Sequence, residues 1–582
     1  MKASWLRRPT GNHVLALLVA ALALGGFSLL VVCSARWLPL LYVVGRVVPT
    51  AGLFLLLVVI VLGALSRRGQ EYFGTLAASL CALARQARAF LAGMLREEGG
   101  LHVISLAAIV CVGFLLRLCF LSQPMRYDEA HTFIAYASCE PSEFLVRYDY
   151  PNNHIFHTLL AHEAYILLGN RPWVIRLPAL LAGVLLVPAC YAVGRLLYSR
   201  GAGLIAAAIV AASSALIEYS TNARGYTLVC LLFLLSLALA HLAVQRGEPA
   251  AWVLLAVLTT LGFYTIPVML YYSAIVWAWA ICLVITGATH IGRRRALKGL
   301  AWSIAVACAL TLAVYFPVIA RLGFKSTVAV AAGRGVSLQY LAKTLPGYAG
   351  TVWEQWNRDI PLSLRAAFVT CFFISLAFHR RLSRWWVPVV VPAALCIVLA
   401  VGIQRALAPT RIWLPLFPLY AATLAGGLSH LAELIEGWLR STRFRVATLC
   451  GLVVLVLMGA SVVRTRSVYY SLETGSLRDA EGITLFLKDY LRAGDRAVSL
   501  CPSDFPLLYY FGLHGVPPQQ LFETDPRTAG RVVFVVNESV GQTLQELVRA
   551  ARLPQSSAGA AVLLRKYESA SLYVIERSSP AR

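Results

Sequence analysis

Charged residues are scarce in this sequence: Asp, Glu, Lys and Arg make up 13% of 582 residues, against about a quarter in a soluble protein. Acidic residues are the scarcer sign, with 27 Asp and Glu against 51 Lys and Arg. With 59% of the chain hydrophobic, this excludes an ordinary soluble domain. The composition is that of a polytopic membrane protein, whose main fold constraint is the bilayer. The net charge of +24 does not imply nucleic-acid binding. The basic residues cluster in short loops between apolar spans, as Arg293-Arg294-Arg295 and Arg380-Arg381 do. That pattern is topogenic and keeps Lys and Arg on the cytoplasmic side.

Several motifs are also absent. There is no P-loop, no dinucleotide fingerprint and no Ser or Cys nucleophile motif. This argues against a nucleotide-driven mechanism of the cytosolic kind. On an outer membrane face, where nucleotide donors are scarce, an activated group would arrive attached to a lipid. The 13 cysteines contain no CxxC, which removes the usual metal spacing. Most lie in apolar spans as small hydrophobes. Cys139 and Cys501 fall in segments placed outside and could pair in an oxidising compartment. No solenoid-period repeat or low-complexity linker occurs.

Apolar runs of membrane-crossing length are what the chain has in abundance. Read by length and by Lys and Arg distribution, they predict about thirteen transmembrane helices. Two spans, near 13–34 and 49–66, and a basic amphipathic stretch at 67–100 make up a region 1–100. A module 101–463 follows. Its spans fall near 101–121, 173–194, 203–219, 226–244, 251–264, 267–287, 299–320, 362–378, 385–402, 411–432 and 446–463. The segment 154–169 is short and broken by His154, His157, His162 and Glu163, and reads as an interfacial helix. Residues 321–361 read as a long outer loop. Parity places 464–582 outside, where alternating helical and strand-like runs predict a small α/β domain.

The candidate chemistry sits at the outer ends of spans. Asp128 and Glu129 follow directly on the 101–121 run, and ionisable groups at such a depth are functional candidates. A poorly solvated carboxylate there suits a general base that takes a proton from a hydroxyl. The plainer reading is an exposed acidic pair at a helix start. Asn152, Asn153 and His154 can hydrogen-bond a sugar or phosphate, although Asn153 could simply cap the following helix. His154 and His157 could bind a metal with Asp128 or Asp149, but no third ligand has diagnostic spacing. Arg224, in the segment Glu218–Tyr226, and Arg411 stand on the outer side against the positive-inside trend. A guanidinium fork suits phosphate. A snorkelling Arg224 paired with Glu218 is the alternative.

Asp128-Glu129 after a span, then the run from Asn152 through RLPALLAGVLLVPACYAVGRLLYSRGAGLIAA, then EYSTNARGYTL and RIWLPLFPLYAA, occur in that order over about 101–440. The series resembles the GT-C glycosyltransferases, in particular their bacterial protein-mannosyltransferase-like and aminoarabinose-transferase-like branch. The resemblance implies an all-α polytopic GT-C membrane protein with a small extracytoplasmic C-terminal α/β domain. It implies an inverting transferase of the bacterial inner membrane. Such an enzyme moves a sugar from a polyprenyl-phosphate donor to a lipid, glycan or protein hydroxyl. Asp128 matches the acidic position that serves as base, Glu129 its neighbour, and Arg224 and Arg411 positions near the carrier phosphate. Asn152, Asn153, His154 and Tyr226 complete the expected substrate-binding set. The aminoarabinose branch carries an acidic-Lys-Pro-Pro motif where this chain reads Asn152-Asn153-His154, so donor identity does not carry over. No cofactor is assigned, and use of a divalent metal stays open. The alternative reading is a transporter or flippase of lipid-linked sugars.

Overall fold

The computed structural model describes residues 74–86, 88, 100–332, 335–405, 407–439, 446–521 and 529–576. The two predicted spans before residue 67 and most of the amphipathic stretch lie outside them. Six helices among the described residues are long and apolar enough to cross a membrane: Gly100–Leu121, Leu177–Leu197, Tyr226–Arg246, Arg293–Leu322, Thr410–Trp438 and Val446–Thr465. Two bent pairs bring the number to as many as eight: Arg200–Ala212 with Ser214–Ser220 at 61°, and Leu338–Asn357 with Leu362–Ala377 at 110°. The protein is a multi-pass membrane protein. Three further predicted spans are helices of only 15 to 17 residues, at Pro249–Thr265, Met269–Ile285 and Val390–Gln404. Residues 321–361, expected as loop, instead form the helices Phe324–Ala332 and Leu338–Asn357. Cys139 and Cys501 are separate free thiols.

The Arg200–Ala212 helix is the centre of the bundle, buried from Ala202 onward. Its run of Ala and Gly explains this, because small side chains let neighbouring backbones approach where lipid supplies no hydrophobic drive between helices. A Cβ on Gly203 would stand 2.7 Å from the Tyr191 carbonyl oxygen. Hydrocarbon-facing positions carry large apolar side chains, such as Leu115, Val398 and Ile403. The helix breaks at Ser213, which caps the next segment by accepting from the Leu216 amide. The break frees carbonyls in an apolar interior. Arg117 answers them from the 100–121 helix, donating to the carbonyls of Ala211 at 3.0 Å and Val210 at 3.4 Å and to Ser220 Oγ at 3.1 Å. A charged residue in the spanning bundle is thus used as a cap for broken backbone.

The C-terminal domain begins after the 446–465 helix. Its sheet has the order β1-β2-β4-β3, with β1 Arg496–Val498, β2 Arg531–Asn537, β3 Val562–Lys566 and β4 Ala570–Glu576. β1 and β2 are parallel, and the other pairs are antiparallel. β2 is buried throughout its length after Arg531, as its continuous Val and Phe run requires. The helices Ala480–Tyr490 and Asp504–His514 pack together, the second placed where the sequence had suggested no element.

Gly427 lies where the helix Phe417–Leu439 meets Leu362–Ala377. A Cβ there would fall 2.0 Å from the Cys371 carbonyl oxygen, a backbone atom that cannot swing aside. Gly427→Ala is expected to destabilise the bundle by about 1–3 kcal/mol, seen as earlier thermal unfolding of the detergent-solubilised protein. An unchanged transition would refute this close contact.

Candidate active site

The 100–121 helix ends at Leu121, and six residues later the short helix Tyr127–Thr132 begins. Arg126 is its N-cap, in extended conformation, and forms an isolated antiparallel bridge with Ser476 from the start of the C-terminal domain. The amides of Tyr127 and Asp128 donate to the carbonyls of Gly475 and Thr474 at 3.1 and 3.3 Å. The turn that carries Asp128 is therefore held between the membrane module and the domain after it.

The two adjacent carboxylates have opposite surroundings. Glu129 is fully buried. Its Oε1 accepts from the Arg126 amide at 2.9 Å and meets Arg176 Nη2; its Oε2 accepts from Arg176 Nε at 3.0 Å and the Ala223 amide at 2.8 Å. Arg176 also donates to the carbonyls of Leu121, Gln123 and Pro124, so it caps the end of the span as well. Asp128 keeps slight exposure and meets one cation, Arg411 Nη2, at 3.0 Å from its Oδ2. This contact is an ion pair without an aligned hydrogen bond.

Arg411 sits on the 3-10 segment Thr410–Leu416 that opens the 417–439 helix. It donates from Nε to Tyr226 Oη at 2.9 Å and from Nη1 to the Glu473 carbonyl at 3.4 Å, while Thr410 Oγ1 donates to Glu473 Oε1 at 2.9 Å. Tyr272 Oη donates to the Ile412 carbonyl, and Trp413 Nε1 to Tyr348 Oη at 2.7 Å. The segment is pinned on both sides of the arginine. Near Arg411 lies Tyr219, fully buried, whose hydroxyl has no hydrogen-bond partner among the described residues. Asn222 Nδ2 donates to Thr474 Oγ1 at 3.2 Å, yet its buried Oδ1 has no partner either.

Arg224 is elsewhere. Nη1 donates to the Asn152 carbonyl at 2.6 Å and to Thr132 Oγ1; Nη2 donates to Asn152 Oδ1 at 2.9 Å and stands 3.1 Å from His154 Nε2. The structure joins Arg224 to the Asn152–His154 loop and not to Glu218 or Arg411. His154 accepts from the Gly225 amide at 2.9 Å, and its ring meets Tyr226 edge-on. Burial first, and then the Arg224 charge, hold His154 well below its usual pKa, so it is neutral. Asn153 is not the expected cap. The N-cap of Ile155–Leu168 is His154, and Asn153 bridges the carbonyls of Phe144 and Arg147 to the Thr158 hydroxyl. Among the described residues no three His, Cys, Asp or Glu side chains converge, those of His154 and His157 included.

Sequence reasoning missed a second buried cluster. Glu218 pairs with Arg126 Nη1 at 3.2 Å and with Arg358, and Ser471 Oγ donates to it at 2.7 Å. Arg358 comes from the stretch read as an outer loop. Its signal was visible: it is a further Arg on the side where the positive-inside trend predicts few.

Residues 155–320 match the family model of the dolichyl-phosphate-mannose-protein mannosyltransferases. No curated protein matches the sequence. Among solved structures, ArnT from Cupriavidus metallidurans in the apo state is similar at 15% identity, covering 81% of this chain and 97% of that one, with a TM-score of 0.49. The archaeal oligosaccharyltransferase AglB of Archaeoglobus fulgidus, in complex with an inhibitory peptide and a dolichol-phosphate, is similar at 11% identity, covering 76% and 70%, with a TM-score of 0.45. The family match bears out the resemblance read from the sequence.

Arg176→Ala would leave the Glu129 carboxylate buried without its cation. We expect destabilisation of about 3–5 kcal/mol, measured as loss of folded, monodisperse protein in mild detergent. Recovery of a normally stable protein would show that Glu129 does not anchor the turn.

Proposed function

We propose that this membrane glycosyltransferase, of the mannosyltransferase type that its 155–320 segment matches, transfers a sugar from a polyprenyl-phosphate carrier to an acceptor hydroxyl, with Asp128 as general base. The observation that carries the reading is the Asp128–Arg411 pair: a carboxylate and a guanidinium 3.0 Å apart, both still slightly exposed, at the outer end of the 100–121 span. Asp128 would take the proton of the acceptor hydroxyl. The acceptor oxygen then bonds to the anomeric carbon as the bond from that carbon to the phosphate oxygen breaks, which inverts the centre. The departing phosphate carries the negative charge, and Arg411 is placed to receive it. The donor in the matched family's name, dolichyl-phosphate-mannose, has this chemistry.

The unpartnered polar atoms of Tyr219 and Asn222 support the reading. A buried polar atom without a hydrogen bond costs about 1–3 kcal/mol, so the Tyr219 hydroxyl near Arg411 and the Asn222 Oδ1 are suited to a ligand's polar groups. Glu129 becomes a positioning residue, because protein donors already engage both its oxygens. Arg224 and His154 likewise shape the wall through Asn152 and Gly225. No step is routed through a metal. We place the site and the C-terminal domain on the extracytoplasmic face, following the basic loops at the other ends of the helices.

Asp128→Asn is expected to lower sugar transfer by about 10²–10⁴-fold with the protein still folded, and Arg411→Ala by about 10²–10³-fold. The assay is release of polyprenyl phosphate from a polyprenyl-phosphate-mannose donor by protein purified in detergent. Turnover there needs no second compartment, so it also separates catalysis from transport. Full activity of Asp128→Asn would defeat the mechanism.

A further inference from the structure

Beside Asp128 lies a group of aromatic rings drawn from separate parts of the chain. Tyr127 and His131 flank Asp128 on its own short helix, and their rings stack at 6.3 Å. Phe505, from the C-terminal domain, meets His131 at 4.5 Å and Tyr127 at 5.4 Å, both edge-to-face. Tyr150, from the loop before Asn152, meets His131 at 6.4 Å and is 63% exposed. Tyr127, His131 and Phe505 are partly exposed too, so the cluster is not closed core. Polar groups frame it. Asn152 Nδ2 lies 2.9 Å from His131 Nδ1, and the buried Asp504 Oδ1 has no hydrogen-bond partner among the described residues. Asp504 and Asp128 both lie within electrostatic reach of Tyr127 and Cys501.

The first turn of the 504–514 helix, which carries Asp504 and Phe505, is fixed in place. Asn537, fully buried at the end of β2, donates from Nδ2 both to the Oγ of the N-cap Ser503 at 2.8 Å and to the Ser476 carbonyl at 2.9 Å. Ser476 belongs to the strap that bridges to Arg126. One asparagine thus ties this helix start to the turn that carries Asp128.

We infer that the C-terminal domain supplies the acceptor subsite of this enzyme: Phe505, with Tyr127, His131 and Tyr150, takes the apolar face of an acceptor sugar ring, and Asp504 takes its hydroxyls. A pyranose has C–H faces and hydroxyl edges, which match half-exposed rings flanked by hydrogen-bonding groups. The placement is sequence-distant but spatially direct, since a ring seated there has its hydroxyls next to Asp128. This inference rests on the transferase reading and names the class of its acceptor, a glycan.

The test is saturation-transfer NMR on the full chain in a sugar-free non-ionic detergent, titrated with methyl α-D-mannopyranoside and methyl β-D-glucopyranoside, with glycerol as control. At least one glycoside, and not glycerol, is expected to bind with a Kd on the order of 1 mM. Phe505→Ala should weaken this by about tenfold, and Asp504→Asn should weaken it too. Phe505→Tyr should retain it, which separates loss of stacking from misfolding. Absence of glycoside binding, or parental binding by Phe505→Ala, overturns the inference. Glycoside binding at Phe505 together with full transfer by Asp128→Asn would sink the base mechanism alone. Asp128-dependent transfer without glycoside binding would sink the acceptor subsite alone.

Discussion

The burial of Glu129 against Arg176 is the constraint on which the site depends. Moving an ion pair out of water is costly, and the pair is tolerated only when further hydrogen bonds satisfy its remaining atoms. Here they do. Glu129 also holds the amides of Arg126 and Ala223, and Arg176 holds the last carbonyls of a membrane span. Three pieces of chain are joined at one carboxylate: the Asp128 turn, the segment of Arg176 that also caps the 100–121 helix, and the loop of Ala223. Asp128 is left as the member of the acidic pair whose Oδ2 has no hydrogen bond among the described residues and meets Arg411.

Around this hub the same device recurs. Arg117 covers the carbonyls freed by the break at Ser213, and Glu218 is shared between Arg126 and Arg358. Each of these charged groups lies deep in an apolar bundle, and each stops an irregular stretch of backbone or a junction from being left unsatisfied. The Glu218 cluster also takes in Ser471, directly ahead of the strap that reaches the Asp128 turn. The C-terminal domain is therefore fastened to the membrane module by the same buried charges that shape the site.

The site's reactive asymmetry follows. Arg224 and His154 are occupied with loop carbonyls and amides, while Arg411, on a rigid 3-10 segment, keeps a guanidinium face on Asp128. The rigidity comes from Tyr226, Tyr272 and the Trp413–Tyr348 contact. A cation held in place by its surroundings needs no reorganisation when charge develops beside it, which is the condition for electrostatic stabilisation.

The sequence by itself determined the membrane class, the positions of the long spans and the α/β character of the tail, and it put Asp128 and Arg411 forward as candidates. These are properties of hydropathy, period and charge placement, which act locally along the chain. It did not separate Asp128 from Glu129, since adjacent carboxylates look alike until one meets Arg176, 47 residues on. Nor did it show that Arg224 serves Asn152 and that Glu218 serves Arg126 and Arg358. It did not show the helix at Leu338–Asn357, where polar and apolar residues alternate around a proline. Only the tertiary structure decided which charges are spent on holding backbone and which meet one another as Asp128 and Arg411 do, because that choice is made by partners brought together across the bundle.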